Sequence, residues 1–322
     1  MTMNPKTEKI REVAQELLQS EQVASVIGFK RGTEAYRSTP AFVTKPEECD
    51  KLIWDGTCTQ NLVNYLRKRP GKTAVVVKGC DARAIAVLCN ENQLKREDLH
   101  IIGVPCEGLV DTEKLAAAEG VRLADVTEVA IEGAEVVVKM GEEEVRLPLE
   151  GVLRDECLGC QAPTPIVSDE LVGEPIEPRD EAKFRELADK IEAMTPAERE
   201  AFFAEQFSKC IRCFACVKGC PMCYCTTCFA IQDKPQYVTR MVGLDENRMF
   251  HMGRAMHLAG RCVGCGACDR ACPVGIPLRA LNTKLAAETK DLFSCVAGFD
   301  CEKKAPLVEF LPGDTEEALD RA

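Results

Sequence analysis

Apolar and polar positions first fall into a clear period over residues 6 to 19. There Ile10, Val13, Ala14, Leu17 and Leu18 recur at helical spacing and predict an amphipathic helix. Residues 21 to 44 alternate apolar and polar positions around Gly28, Gly32 and Pro40, which predicts short strands and turns. A second helix is expected over 47 to 68, stopped by Pro70-Gly71. The β-branched run between Lys72 and Lys78 reads as a buried parallel strand. It leads through Gly79-Cys80-Asp81 into a helix from about 81 to 95, and a further strand at His100–Val104 closes on Pro105-Cys106. Strand, turn, helix, strand is a βαβ unit. Such sheets hold ligands at the carboxyl ends of their strands, where Cys80 and Cys106 stand.

Beyond this unit the pattern predicts a helix near 112 to 119 and a hairpin of Ala134–Met140 with Glu143–Pro148, turning at Gly141. The stretch 161 to 180 is rich in Pro and acidic residues and reads as a linker. Residues 181 to 209 are helical, with a capping box at Thr195-Pro-Ala-Glu198 that starts a fresh helix. Helices are also expected over 243 to 260 and from Pro277 to about 290, with an acidic extended tail from 303. The fold class expected is therefore α/β over 1–172, a small mostly parallel sheet with flanking helices. A helical linker would follow at 173–209, then a mainly helical ferredoxin-like region at 210–290 and a tail at 291–322.

The candidate chemistry lies in the cysteines. There are 20, and eleven of them fall between 210 and 272. One run reads Cys210-x-x-Cys213-x-x-Cys216-x-x-x-Cys220-Pro221; the second reads Cys262-x-x-Cys265-x-x-Cys268-x-x-x-Cys272-Pro273. This is the bacterial ferredoxin interval, in which the fourth Cys of each run ligates the other cluster. It predicts one 4Fe–4S cluster on Cys210, Cys213, Cys216 and Cys272, and another on Cys262, Cys265, Cys268 and Cys220. Small residues at Gly264, Gly266 and Ala267 fit a backbone wrapped closely around an inorganic core. Zinc takes four ligands, usually as two pairs, and does not account for two matched runs ending in proline. Disulfides are disfavoured in a long chain whose first twenty residues read as a mixed-charge helix.

Two smaller groups remain. Cys157-Leu-Gly-Cys160 joins Cys80 and Cys106 to complete four thiols, read as a third 4Fe–4S site, although a CxxC also suits a zinc half-site or a redox pair. Cys223, Cys225 and Cys228 suggest a further centre that would need a fourth ligand, with Cys295 or Cys301 as candidates. Cys49, Cys58 and Cys89 read as buried bystanders. Lys209, Arg212, Lys218, Arg261 and Arg270 are placed to stabilise reduced clusters, or else simply to face solvent. His251 and His257, six apart on one helix, read as packing or surface residues.

Composition narrows the partners. A net charge of −11 disfavours nucleic acid, and no apolar run approaches the ~20 residues of a membrane span. A cytoplasmic location is expected. No Walker loop, Gly-x-Gly-x-x-Gly turn or Ser–His–Asp set is present in the sequence pattern, so catalysis by the chain's own side chains has no support there.

Over residues 45 to 172, Gly79-Cys80, Pro105-Cys106 and Cys157-x-x-Cys160 resemble the beta subunit family of coenzyme F-420-reducing hydrogenase and dehydrogenase. That resemblance implies a 4Fe–4S cluster on those cysteines beside an FAD, with Gly56, Thr57, Gly79 and Asp81 at the positions that approach the flavin. The sequence departs from the family at both of these turns, having Gly79-Cys80-Asp81 for Pro-Cys-Gln and Asp55-Gly56-Thr57-Cys58 for Ser-Gly-Gly. The C-terminal half is similar to iron–sulfur subunits that accompany formate dehydrogenases and heterodisulfide reductases, through Arg254–Cys262 and Cys272-Pro-Val-Gly-Ile-Pro277. Two functions follow as expectations. The chain relays electrons between a catalytic partner (formate dehydrogenase or hydrogenase type) and another acceptor, or it is a flavoenzyme exchanging hydride with a deazaflavin or nicotinamide.

Overall fold

The computed structural model describes residues 4–67, 69–300 and 304–306. Helix α1 (Pro5–Gln19) begins at Asn4, whose side chain accepts from the Lys6 N–H, and it buries the five apolar residues of its predicted face. Strands β1 (Ser25–Arg31), β2 (Ser38–Val43), β3 (Thr73–Val77) and β4 (Leu99–Gly103) follow, with α2 (Gly79–Asn90) crossing from β3 to β4. Together with β8 (Glu170–Leu171) they form one sheet in the order β2-β1-β3-β4-β8. Only the β1–β2 pair is antiparallel; β1–β3, β3–β4 and β4–β8 are parallel. All five residues of β3 are buried, as a central parallel strand covered on both faces requires.

A second sheet is fully antiparallel: β5 (Glu128–Glu132), β6 (Glu135–Met140) and β7 (Glu143–Pro148), in that order. Around it lie α3 (Thr112–Ala117), α4 (Leu149–Val152) and α5 (Asp155–Leu158). The chain continues through α6 (Glu181–Glu192), α7 (Pro196–Ser208), α8 (Ala215–Lys218), α9 (Leu244–His257), α10 (Ala267–Arg270) and α11 (Arg279–Phe293). The Thr195 capping box is formed in both directions, with Glu198 accepting from the Thr195 N–H at 2.8 Å. Among the described residues no helix is long and apolar enough to cross a membrane.

Two expectations fail for local reasons. The helix over 47–68 is absent; two short 3-10 segments, Pro46–Lys51 and Leu62–Tyr65, stand in its place. Asp55 Oδ1 accepts from the Thr57 N–H at 2.8 Å, an Asx turn that competes with helical bonding. Ile53 donates its N–H to Phe29 O instead, tying this stretch to β1. The supposed linker at 161–180 is bound to the sheet, because β8 pairs with β4 and Thr164 both donates to and accepts from the Ile176 backbone. The acidic tail from 303, apart from residues 304–306, lies outside the described residues, as does Cys301.

The main core spans both halves of the chain. Met222, Leu258, Val263 and Ala297 pack into the same apolar cluster as β1, β3, β4 and α2. Polar contacts reinforce the seam: Asn64 donates to Gly219 O at 2.9 Å, Arg83 to Ala297 O at 2.9 Å and Arg67 to Tyr224 O at 2.8 Å.

Gly79, at the start of α2, lies tight against the 161–180 stretch, since a Cβ there would stand 1.7 Å from Ala162 O. Gly79→Ala is expected to destabilise the protein by about 3 kcal/mol, because only backbone could give way. Gly151→Ala, into open space on α4, should stay within about 0.5 kcal/mol. Guanidinium midpoints of the two variants, compared with the parent, check both; equal midpoints would contradict the close approach.

Candidate metal centres

The two cysteine runs fold into matching turns. In the second run Gly264 and Gly266 have φ of 70° and 65°; at the same offsets in the first, Arg212 and Phe214 have φ of 54° and 59°. Side chains other than glycine pay roughly 1–2 kcal/mol to enter this left-handed region. The requirement is thus for backbone direction and not for small size, since Arg and Phe meet it too. Those backbones aim N–H groups at sulfur: Arg212 N–H donates to Cys210 Sγ at 3.4 Å, and the Gly264 and Ala267 N–H groups donate to Cys262 and Cys265. Further along, the Ile276 N–H donates to Cys272 Sγ at 3.4 Å. The third thiol group repeats the device, with Gly108 N–H donating to Cys106 and Ala162 N–H to Cys160. Hydrogen bonds to sulfur are a main way a protein sets the electronics of a bound cluster.

Short helices α8 and α10 meet at Gly219, where a Cβ would lie 3.3 Å from Ala271 Cβ. That contact crosses the ends of the two runs. Cys216 has Cys210, Cys272 and Cys213 as neighbouring thiols, whereas Cys268 has Cys220 and Cys262. The fourth cysteine of each run therefore stands with thiols of the other run. A small pocket is lined by Cys210, Cys213, Cys216 and Cys272 together with His251.

A larger cavity of about 380 Å³ lies between the sheet and the second run. Cys80, Cys106, Cys157 and Cys160 all line it, and so do Cys262 and Cys265. Cys80 stands at the start of α2 just after β3, Cys106 follows β4, and the other two come from α5 and the turn after it. Burial pushes these thiols up, Cys106 to about 11 and Cys262 to about 12. Among the described residues no three His, Cys, Asp or Glu side chains converge on a point as they would around one ion. The thiols border a space instead.

Orphaned polar atoms give an independent test of fit. Both nitrogens of His251, 3% exposed and stacked on Phe207 at 4.8 Å, have no hydrogen-bond partner. A buried polar group without a partner is costly, and a cluster in the pocket His251 lines would offer sulfur as acceptor. The reading of His251 as a packing residue thus holds for its ring faces and omits its nitrogens. Cationic side chains follow the same logic. Arg212 and Arg261 are 9% and 8% exposed, and Arg270 is enclosed between Glu156, Cys265, Cys80 and Cys157. Lys209 and Lys218 face solvent. Arg270 donates to Glu156 at 2.6 Å and to Cys265 O at 2.6 Å, linking the third thiol group to the second run.

The remaining candidates divide. Cys223 is hydrogen-bonded to Cys220, beside Arg254, while Cys225 is exposed near Arg261 and Tyr224. Cys49 and Cys58 are core residues at 1% exposure. Of Gly56, Thr57, Gly79 and Asp81, only Gly79 borders the cavity. Gly56 is packed against Ile131 and Val110, and Thr57 is buried and donates to Asp55. Asp81 is fully buried and ion-paired with Lys78 at 2.9 Å.

Known proteins share both halves of this chain. Residues 71–193 match the family model for the C-terminal part of the coenzyme F420 hydrogenase/dehydrogenase beta subunit, and residues 206–276 match the 4Fe-4S dicluster domain. The chain thus joins a segment similar to the coenzyme F420 hydrogenase/dehydrogenase beta subunit to one similar to the 4Fe-4S dicluster domain. Among its relatives is the F420-dependent formate dehydrogenase subunit beta of Methanocaldococcus jannaschii, 23% identical over 88% of this chain and 89% of the relative. Another is the F420-dependent formate dehydrogenase 1 subunit beta of Methanococcus maripaludis, 25% identical over 89% of each. One polypeptide of the F420-reducing [NiFe] hydrogenase complex from Methanosarcina barkeri aligns with 66% of this chain and 97% of its own length, at 15% identity and a TM-score of 0.41. The segment matched by the beta-subunit model includes Cys80, Cys106, Cys157 and Cys160 of the third thiol group, and the segment matched by the dicluster model includes both ferredoxin-spaced runs.

The buried Lys78–Asp81 pair at the start of α2 makes a structural prediction. Asp81→Ala leaves Lys78 buried and unpaired and should cost about 3–5 kcal/mol, whereas Lys78→Met/Asp81→Leu should recover most of the loss. Denaturant unfolding of both variants measures the difference. A mild effect for Asp81→Ala would mean that the pair does not hold this turn.

Proposed function

We propose that the chain is an electron-relay subunit with three 4Fe–4S sites in a row. They would be Cys210, Cys213, Cys216 and Cys272; then Cys262, Cys265, Cys268 and Cys220; then Cys80, Cys106, Cys157 and Cys160. The observation that carries this reading is the shared cavity, which puts all four thiols of the last group on the same walls as Cys262 and Cys265. Bound clusters accept and release single electrons, at potentials set by charge, hydrogen bonds to sulfur and exposure. The chain's own part is to hold twelve thiolates apart, to donate backbone N–H groups to them and to keep water from the inner sites. Cys213 is exposed, so the first site reaches the surface. That favours it as the place where a partner, of formate dehydrogenase or hydrogenase type, exchanges electrons with the chain.

A second reading adds flavin. The relatives are F420-dependent by name, and a deazaflavin gives up hydride, two electrons at once. Coupling hydride to one-electron sites is work for a flavin, and Gly79 and Lys78 border the cavity beside the third thiol group. Heterodisulfide reductase-type partners and a further centre at Cys223, Cys225 and Cys228 stay as narrower variants of the relay.

Anaerobically purified protein should carry about twelve irons and as many acid-labile sulfides. Cys106→Ser/Cys157→Ser should lower both to about eight with the other two sites intact. Protein free of iron, or a double variant with unchanged iron, rejects the assignment. Flavin released on denaturation of the same preparation decides for or against the second reading.

A further inference from the structure

Several largely enclosed arginines stand near the thiol groups, and they are not equivalent. Arg83, near Cys80, Cys160, Cys262 and Cys265, donates to the Val263 and Ala297 carbonyls. Arg261 is neutralised by Glu91, whose Oε2 accepts from Nη2 at 2.7 Å. Arg270 is neutralised by Glu156. Arg212 donates to the backbone carbonyls of Glu246, Ala230 and Thr239. Arg212 shares with Arg254 an Nε without a partner and the lack of a carboxylate among the described residues, but Arg254 differs in having thiols of both ferredoxin-spaced runs around it. It sits on the inward face of α9 at 6% exposure, donates from Nη2 to Cys216 O at 3.1 Å and is hydrogen-bonded to the Cys223 thiol. Its Nε has no partner, and no carboxylate among the described residues pairs with it.

The groups that surround Arg254 are thiols: Cys220, Cys223, Cys268 and Cys216. Cys216 belongs to the first site, whereas Cys220 and Cys268 belong to the second. The guanidinium therefore lies between the two. Burying a charge without a counter-charge is expensive. The groups named around Arg254 that could supply one are cysteines, which become anionic when they ligate iron. Each electron added to either site increases that negative charge, and in a low-dielectric interior a fixed cation a few ångströms away weighs heavily.

We propose that Arg254 is a positioning charge shared by the two ferredoxin-type clusters, raising the reduction potentials of both. The proposal rests on the assignment of these cysteines as iron–sulfur ligands. It adds that this buried cation between the two sites, not the surface lysines, shifts the level of the pair. Arginine is suited to this place because it stays charged when buried and its planar fork holds the Cys216 carbonyl.

The test is a redox titration of the full-length holoprotein followed by EPR, with iron and sulfide counted in each variant. Arg254→Gln should load three clusters and shift the potentials of the first and second downward together, leaving the third where it is. Arg254→Lys should restore both potentials, because it keeps the charge while changing the shape. Lys218→Met, at an exposed position screened by water, should change neither. Unmoved potentials in a fully loaded Arg254→Gln, or a shift at one site alone, overturn the proposal. If Arg254→Gln does not load, Arg254→Lys decides. Loading with parental potentials supports a role for charge; altered potentials or failure to load mean the residue acts through shape. Parent protein lacking iron and sulfide would defeat the ligand assignment itself, a different result from loaded clusters with unmoved potentials.

Discussion

Sulfur must be taken out of water and must still be able to carry negative charge; this conflict governs the structure. Burial alone pushes the thiols upward, to about 11 at Cys106 and Cys216 and to about 12 at Cys262. The local devices around them work in the opposite direction. Backbone N–H groups reach Cys210, Cys262, Cys265, Cys106 and Cys160 from two residues further along the chain. Achieving that geometry in the first run forces Arg212 and Phe214 into a left-handed backbone that glycine occupies in the second. The strain is accepted because the alternative is buried sulfur with no donors.

The same conflict explains why the two halves of the chain share a core. A cysteine set at the strand ends of the sheet has one side covered by α5 and the residues after it, and its other side would face water. Val263, Ala297 and Leu258 close that side by packing into the sheet's own apolar cluster. Arg83 then fastens the cover, donating to Val263 O at 3.1 Å and to Ala297 O at 2.9 Å. Covering one site in this way brings the next one near, since Cys262 and Cys265 flank Val263 and border the same cavity. Proximity of the two thiol groups thus follows from shielding them.

How much of this is legible in the sequence depends on the range of the interaction. Thiol intervals are local, and so the ferredoxin runs, the βαβ unit and the Thr195 capping box can all be read directly. Crossing of Cys220 and Cys272 is legible too, because the repeat carries it. The helix expected over 47–68 fails on a single Asx turn at Asp55, a bond too small to register in a hydrophobic period. The 161–180 stretch looks like a linker because its composition is that of one. Its pairing with β4 depends on a register some 70 residues away. Gly79 reads from the family resemblance as a cofactor neighbour, while its closest constraint is Ala162 O in that same stretch.

The charges are the least legible part. Arg270 and Glu156 are 114 positions apart, and Arg261 and Glu91 are 170 apart. Nothing in their flanking residues marks them as partners. Arg254 carries even less signal, as one cation on an ordinary helix with Met252 and Met256 exposed on its other side. A signal does exist in the period: Asn247, Phe250, His251 and Arg254 share the buried face of α9, and an arginine on a buried face needs a reason. For Arg254 the reason we propose is negative charge that a bound cluster would bring to the thiols around it. A cation buried among thiols of two runs would thus be the mark left on the polypeptide by an anion that is not part of its sequence.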